Sequence, residues 1–253
     1  MMKKIFLFLT VTLALFVQNR ALAGGFPDNW ELKARFGYNI GATAPIGLPA
    51  TIRSIDAYRL TPSFLFGVEA MAPFWGKWGL TTGLHLENKG MDGDVTTKMY
   101  YMEVKKGESQ LAGRYTGSVH QVVREWMVTL PILATWQVSN VVRLKGGPYF
   151  SLLVDKDFSG YVFDGYLRQN DPTGPKVEIG HEENERATYD FTDNMRNFQM
   201  GLDVGADFRL HPAFGVSVDL NWGLTGLFES DFKTVEQTLY PIYGTVSLYY
   251  NIR

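Results

Sequence analysis

The feature that most restricts this chain is an alternation of apolar and polar residues that returns eight times. Segment 125–137 shows it plainly: Trp126, Val128, Leu130, Ile132, Ala134 and Trp136 share one face, and Glu125, Thr129, Thr135 and Gln137 share the other. The same period of two runs through 31–41, 62–74, 78–90, 141–152, 196–210, 214–225 and 240–253. Successive side chains of a β-strand point to opposite faces, so each segment reads as a strand with one apolar and one polar environment. Hydrophobic residues make up 45% of the 253, yet the mean hydropathy is −0.10. A helical membrane protein would concentrate its apolar residues in long runs; here they alternate with polar ones and cancel.

A soluble β-sandwich or lipocalin-like barrel also alternates. The spacing of aromatic residues separates the readings. Phe64 and Phe74, Trp126 and Trp136, and Phe198 and Phe208 each lie ten residues apart on the apolar face. Ten residues span about 33 Å of strand, or about 25 Å after a barrel tilt of about 40°. That is the height of the apolar band of a transmembrane barrel, with an aromatic girdle at each edge; Trp78 and Trp222 join the same girdles. The polar face carries Lys33, Arg35, Arg143, Lys145 and Arg209 against Glu69, Glu87, Glu125, Asp203, Asp207 and Asp219. Five positive and six negative charges, interspersed among the strands, predict a paired lumenal network. An ion-selective pore tends to show a ring of one sign. The connections alternate: 74–77, 138–140 and 211–213 are tight turns, while 42–61, 91–124, 153–195 and 226–239 are long and polar. The expectation is an all-β fold, a single antiparallel transmembrane barrel of about eight strands, which leaves an interior that side chains can fill.

The first residues give the route to a membrane. Met1-Met2-Lys3-Lys4 is a basic start, Ile5 to Val17 is apolar, and Ala21-Leu22-Ala23 is a small-x-small cleavage site. This predicts a signal peptide over 1–23 and a mature barrel domain over 24–253 that starts at Gly24. With the alternation, it places the chain in the outer membrane of a Gram-negative bacterium, with its lipid as one partner. The absence of Cys leaves no disulfide framework or thiol chemistry. The near balance of 24 basic and 26 acidic residues gives no footprint for nucleic acid.

The run FLFGVEAMAPFWGKWGLTTGLHLENKG (64–90) resembles the second hairpin of the PorT-like, or porin-family, outer-membrane barrels. EWMVTLPILATW (125–136), LKGGPYFSLLV (144–154), NFQMGLDVGADFRL (197–210) and NWGLT (221–225) continue the resemblance over nearly all of the chain except its long connections. It implies an eight-stranded outer-membrane barrel. The family is functionally mixed, with some members linked to protein secretion.

Signals for chemistry are sparse. His85 shares the inner face with Glu87 and reads as an interior salt-bridged pair. His181 sits beside Glu182 and Glu183, near Asp155, Asp157, Asp171 and Glu178, without the ligand spacing of a calcium loop. Ser118 and His120 are two apart, which on a strand puts them on one face, but no acid to orient the imidazole is identifiable. No catalytic residue, cofactor or metal site is therefore assigned. The favoured function is a membrane-anchored structural or interaction module, with 91–124 and 153–195 meeting an envelope or secretion partner. A narrow solute pore and a barrel-rim hydrolase or acyltransferase are the alternatives.

Overall fold

A computed structural model of the chain describes residues 29–169, 172–235 and 237–252. The leader expected over 1–23 and the first mature residue Gly24 lie outside them. The described residues form eleven strands: β1 (Glu31–Pro45), β2 (Ile52–Arg59), β3 (Phe64–Trp75), β4 (Trp78–Lys106), β5 (Ser109–Gln137), β6 (Val142–Gln169), β7 (Lys176–Ile179), β8 (Ala187–Asp190), β9 (Phe198–Arg209), β10 (Phe214–Gly223) and β11 (Leu239–Asn251). All pairings are antiparallel. β1 pairs with β3, β3 with β4, β4 with β5, β5 with β6, β6 with β9, β9 with β10, β10 with β11, and β11 returns to β1. The circuit closes on itself, so the backbone donors and acceptors of its walls are paired within it. The expected strands are all present; β2, β7 and β8 are additions outside the circuit.

The turns at one end are short. Gly76 and Gly107, at φ +56° and +58°, each open a two-residue hairpin loop. A type II′ turn needs positive φ at that first position, which glycine adopts without steric cost. Gly76 joins β3 to β4 at the short-turn end. Gly107 joins β4 to β5 at the far tip, because these strands are 29 residues each.

That length corrects the reading of 91–124 and 153–195 as long loops. β4, β5 and β6 continue as strands well beyond the ring, and β7 and β8 pair onto β6. Irregularities hid them. Register shifts fall between Thr97 and Tyr100, Thr116 and Ser118, and Trp126 and Met127, and Met99 and Asp164 take positive φ. A bulge inserts a residue and moves the inward face to the other parity. On β4 the buried residues step from His85, Glu87, Lys89 and Thr97 to Met102 and Val104. On β6 they step from Arg143, Lys145, Tyr149 and Ser151 to Phe158 and Val162, then to Leu167. A fixed period of two does not survive these steps.

The two faces also exchange character along the strands. In the ring, apolar Leu130, Leu144, Val204 and Leu248 are exposed on the outside while charged residues are buried inside. In the extension the inside is apolar: Val119, Val123, Phe158, Val162, Tyr189, Phe191, Leu227 and Phe228 form one core. β8 pairs with β6 and, at Lys105, with the tip of β4, so the extension wraps around that core. An apolar exterior suits hydrocarbon and an apolar interior suits water outside.

Candidate functional site

The lumen of the ring is built from the polar face of every strand. Arg35 on β1 donates to Glu69 Oε1 on β3 and Asp219 Oδ2 on β10, both at 2.5 Å, and to Ser247 Oγ on β11 at 2.7 Å. Lys145 on β6 lies 2.7 Å from Asp219 and 3.1 Å from Asp207. Lys33 reaches Asp207 at 2.6 Å. All these groups are at least nine-tenths buried. A planar guanidinium with several donors can bridge carboxylates from two strands at once, which an ammonium does less rigidly. Toward the extension, Glu87 accepts from Thr129 at 2.7 Å and lies 3.4 Å from Lys89. Lys89 Nζ also stands over the rings of Tyr149 and Tyr243 at 5.3 and 5.7 Å, an attraction between a cation and the negative ring face. The cavity left in this part of the lumen is about 10 Å³, room for about one water.

The eleven predicted charges are not equivalent. Ten of them (all except Arg209) are buried, and eight of those ten enter ion pairs with each other or with Glu31 and Lys89. The two without such a pair are Asp203 and Glu125; Asp203 is buried with Oδ1 unbonded. Glu125 is fully buried and accepts from Gln199 at 2.5 Å, with its second oxygen unbonded. Arg209 is partly exposed at the short-turn mouth, 3.7 Å from Glu31. His85 bonds Glu69 across the strand pair at 3.0 Å instead of its sequence neighbour Glu87. Sequence reasoning missed Lys89 and Glu31. Lys89 extends the odd-numbered face of His85 and Glu87 by one step, and Glu31, which bonds both terminal nitrogens of Arg143 at 2.8 Å, extends the face of Lys33. Carrying the alternation one residue further at each strand end finds both.

Of the aromatic residues, Phe74, Trp78, Trp136 and Phe208 are exposed around the short-turn end, and Phe64, Phe198 and Trp222 around the other. Trp126, beside the β5–β6 register shift, is only half-exposed. Trp78 stacks on Trp136 with ring centroids 6.1 Å apart.

On the extension, His120 acquires the acid that the sequence did not reveal. Its Nδ1 lies 2.7 Å from Asp94 on the neighbouring strand, and its ring stacks on Tyr161 at 4.6 Å. Arg59 of β2 donates to Asp94 at 2.6 Å and to Asp92 at 2.9 Å, tying β2 to the wall. Burial pushes the Asp94 carboxyl up, but the bonds from Arg59 and His120 outweigh it and hold it below the usual carboxylate range. No hydrogen bond links His120 to Ser118 among the described residues, so the pair lacks the nucleophile contact of a hydrolase. His181 pairs with Asp164 at 2.8 Å, and no cluster of three metal-capable side chains occurs among the described residues.

A family model described as outer membrane protein beta-barrel domain matches residues 16–229. Among solved structures, Ail, the attachment invasion locus protein of Yersinia pestis, in complex with the heparin analogue sucrose octasulfate, shares 10% identity. The match covers 88% of this chain and 97% of that chain at a TM-score of 0.36. Neisserial surface protein A (NspA) shares 6% identity over 89% of this chain and 98% of that chain, at a TM-score of 0.35. No curated protein sequence matches.

Proposed function

Since this chain belongs to the outer membrane protein beta-barrel domain family, and so resides in the outer membrane of a Gram-negative bacterium, we propose that its ring is a closed transmembrane anchor and its extension a rigid recognition module outside the cell. The observation that carries this reading is the filled lumen of the ring. Buried ion pairs occupy the ring, a cavity of only about 10 Å³ remains among them, and the apolar core of the extension lies above. A solute has no evident route, and the surface left to act is the extension.

In this reading the short turns face the periplasm and the extension faces outward, as in other outer-membrane barrels. A leader over 1–23 delivers the chain. Phe64, Phe74, Trp78, Trp126, Trp136, Phe198, Phe208 and Trp222 hold the two membrane interfaces, and lipid is the partner of the wall. The lumenal charges act as a polar plug with no catalytic role. The recognised partner is a protein of the envelope; the PorT-like segments favour one belonging to a secretion assembly. Residues on a scaffold of paired strands hold their geometry, which suits recognition.

A photoreactive side chain placed in intact cells at exposed Lys98 or Glu178 should crosslink to one defined protein, whereas at lipid-facing Val204 it should yield only lipid adducts. Absence of any protein adduct from six or more extension positions would sink the recognition reading.

A further inference from the structure

At the outer end of the ring β1 loses a neighbour. Its residues up to Tyr38 pair with β3 on one side and β11 on the other, but residues 39–45 pair with β11 alone. β2 descends beside this free edge and pairs with β4. Among the described residues no β-ladder joins β1 to β2; the Tyr58 hydroxyl, donating to the Gly41 carbonyl, bridges them. Lower down the seam is shut by the Asn39 N–H donating to the Ser63 carbonyl at 2.8 Å and by Tyr38 packing edge-on against Phe64.

Behind the seam is a cavity of about 170 Å³. Ile55 and Tyr58 stand at its entrance, and Met91, Val95, Tyr100 and Phe158 line it further in. An apolar cavity of about 150 Å³ stays dry and accepts a benzene-sized group. An unfilled one forfeits the dispersion contacts of its lining. Ile46, Leu48, Ile55 and Leu60 around the seam are each at least 60% exposed. They continue the apolar exterior of the ring past Phe64, up to the cavity mouth.

The geometry points to a lateral pocket that takes the end of an alkyl chain, entered between β1 and β2 just beyond the interface marked by Phe64. The lining is mostly apolar, with Thr43, Thr97, Gln121, Thr234 and Gln237 as its non-aromatic polar side chains, so a strongly polar ligand would leave more hydrogen-bonding groups unmet there than an alkyl chain does. A tail can enter sideways while its head group stays in water. The pocket is separate from the charged lumen and from the outward face proposed for partner recognition, so it stands or falls independently of both. A free fatty acid and an acyl chain of the bilayer present the same chemistry, and the test separates them.

Met91 and Met102 both line the pocket, whereas Met200 faces lipid on β9. Methyl-labelled methionine in the full chain, in phospholipid nanodiscs, therefore reports on the site. If a free amphiphile is the occupant, sodium octanoate should shift the Met91 and Met102 methyls saturably and leave Met200 in place. Ala57→Phe or Ala44→Phe, each adding a ring at a lining residue, should weaken the effect at least about tenfold. If a bilayer chain is the occupant, octanoate should do nothing. Lipid-chain protons should instead give cross-relaxation to both methyls, lost with chain-deuterated lipid. The idea fails if neither signal appears, if Met200 responds equally, or if a folded Phe variant binds as wild type does. Heat-modifiable gel mobility reports folding; should both variants misfold, the contrast between Met91, Met102 and Met200 in the native chain decides.

Discussion

Arg35 illustrates what a single lumenal residue does. It meets carboxylates from β3 and β10 and a hydroxyl from β11, so one side chain ties together strands on different parts of the ring. Arg35→Met keeps most of the volume but leaves Glu69 and Asp219 without that cation. Breaking a buried pair in this way costs about 3–5 kcal/mol, read as a lower urea midpoint for the protein folded in lipid vesicles. Adding Glu69→Gln should recover part of the loss; a strictly additive pair would show that the two groups are not coupled. At Asp94 the reasoning concerns pH. Its value is lowered in the folded chain, so its stabilisation is present above the unfolded value of about 3.9 and is lost as pH falls through the lower folded value. The groups facing it are Arg59, His120 and Asp92. Amide exchange in β2, corrected for its intrinsic pH dependence, should be steady above about pH 4 and accelerate as pH falls below it. Asp94→Asn should flatten that response.

At the scale of elements, the extension behaves as one unit because its strands share a core. Val119 and Val123 come from β5, Phe158 and Val162 from β6, Tyr189 from β8, and Leu227 and Phe228 from the segment before β11. Replacing 93–121 alone by a short turn should therefore expose Phe158 and its neighbours and cause aggregation. Replacing 93–121 and 157–194 together removes most of that core, and should give a shorter protein that still folds in detergent and keeps its heat-modifiable mobility. The reverse outcome, a well-behaved single deletion and a failed double one, would show that the extension is not a cooperative unit. Simple loops would have predicted independent, harmless deletions.

For the whole molecule, the decisive property is closure. A circuit whose eight strands pair all the way round can stand in hydrocarbon because its backbone groups are satisfied internally; the β1 edge left beyond Tyr38 belongs to its outer end, and the cavity among the charged side chains of the ring is about 10 Å³. Pure protein in planar bilayers should therefore show no stepwise conductance at moderate voltage. Reproducible steps that persist on voltage reversal would promote the solute pore over the anchored module. Replacing Arg35, Lys145 and Asp219 together by alanine would clear the middle of the plug, and any conductance gained by that variant but absent from the native chain would identify those side chains as the obstruction.

The sequence by itself determined the part of the fold ruled by a constant period. The alternation from 31–41 to 240–253 located all eight strands of the circuit, and the odd-numbered face grouped Lys33, Arg35, Glu69, Lys145 and Asp219, each of which is buried. Lipid outside and charge inside make that face legible residue by residue. Beyond the ring the same rule broke down, because bulges near Met99 on β4 and near Val154 and Asp164 on β6 change parity, and the apolar side turns inward. What only the tertiary structure decided was which strands meet. It paired β4 with β5 to their tips, brought Asp94 to His120, set Glu69 against His85 in place of Glu87, and left the seam between β1 and β2 open. Contacts between strands depend on register and closure, and no local pattern of apolar and polar residues carries that information.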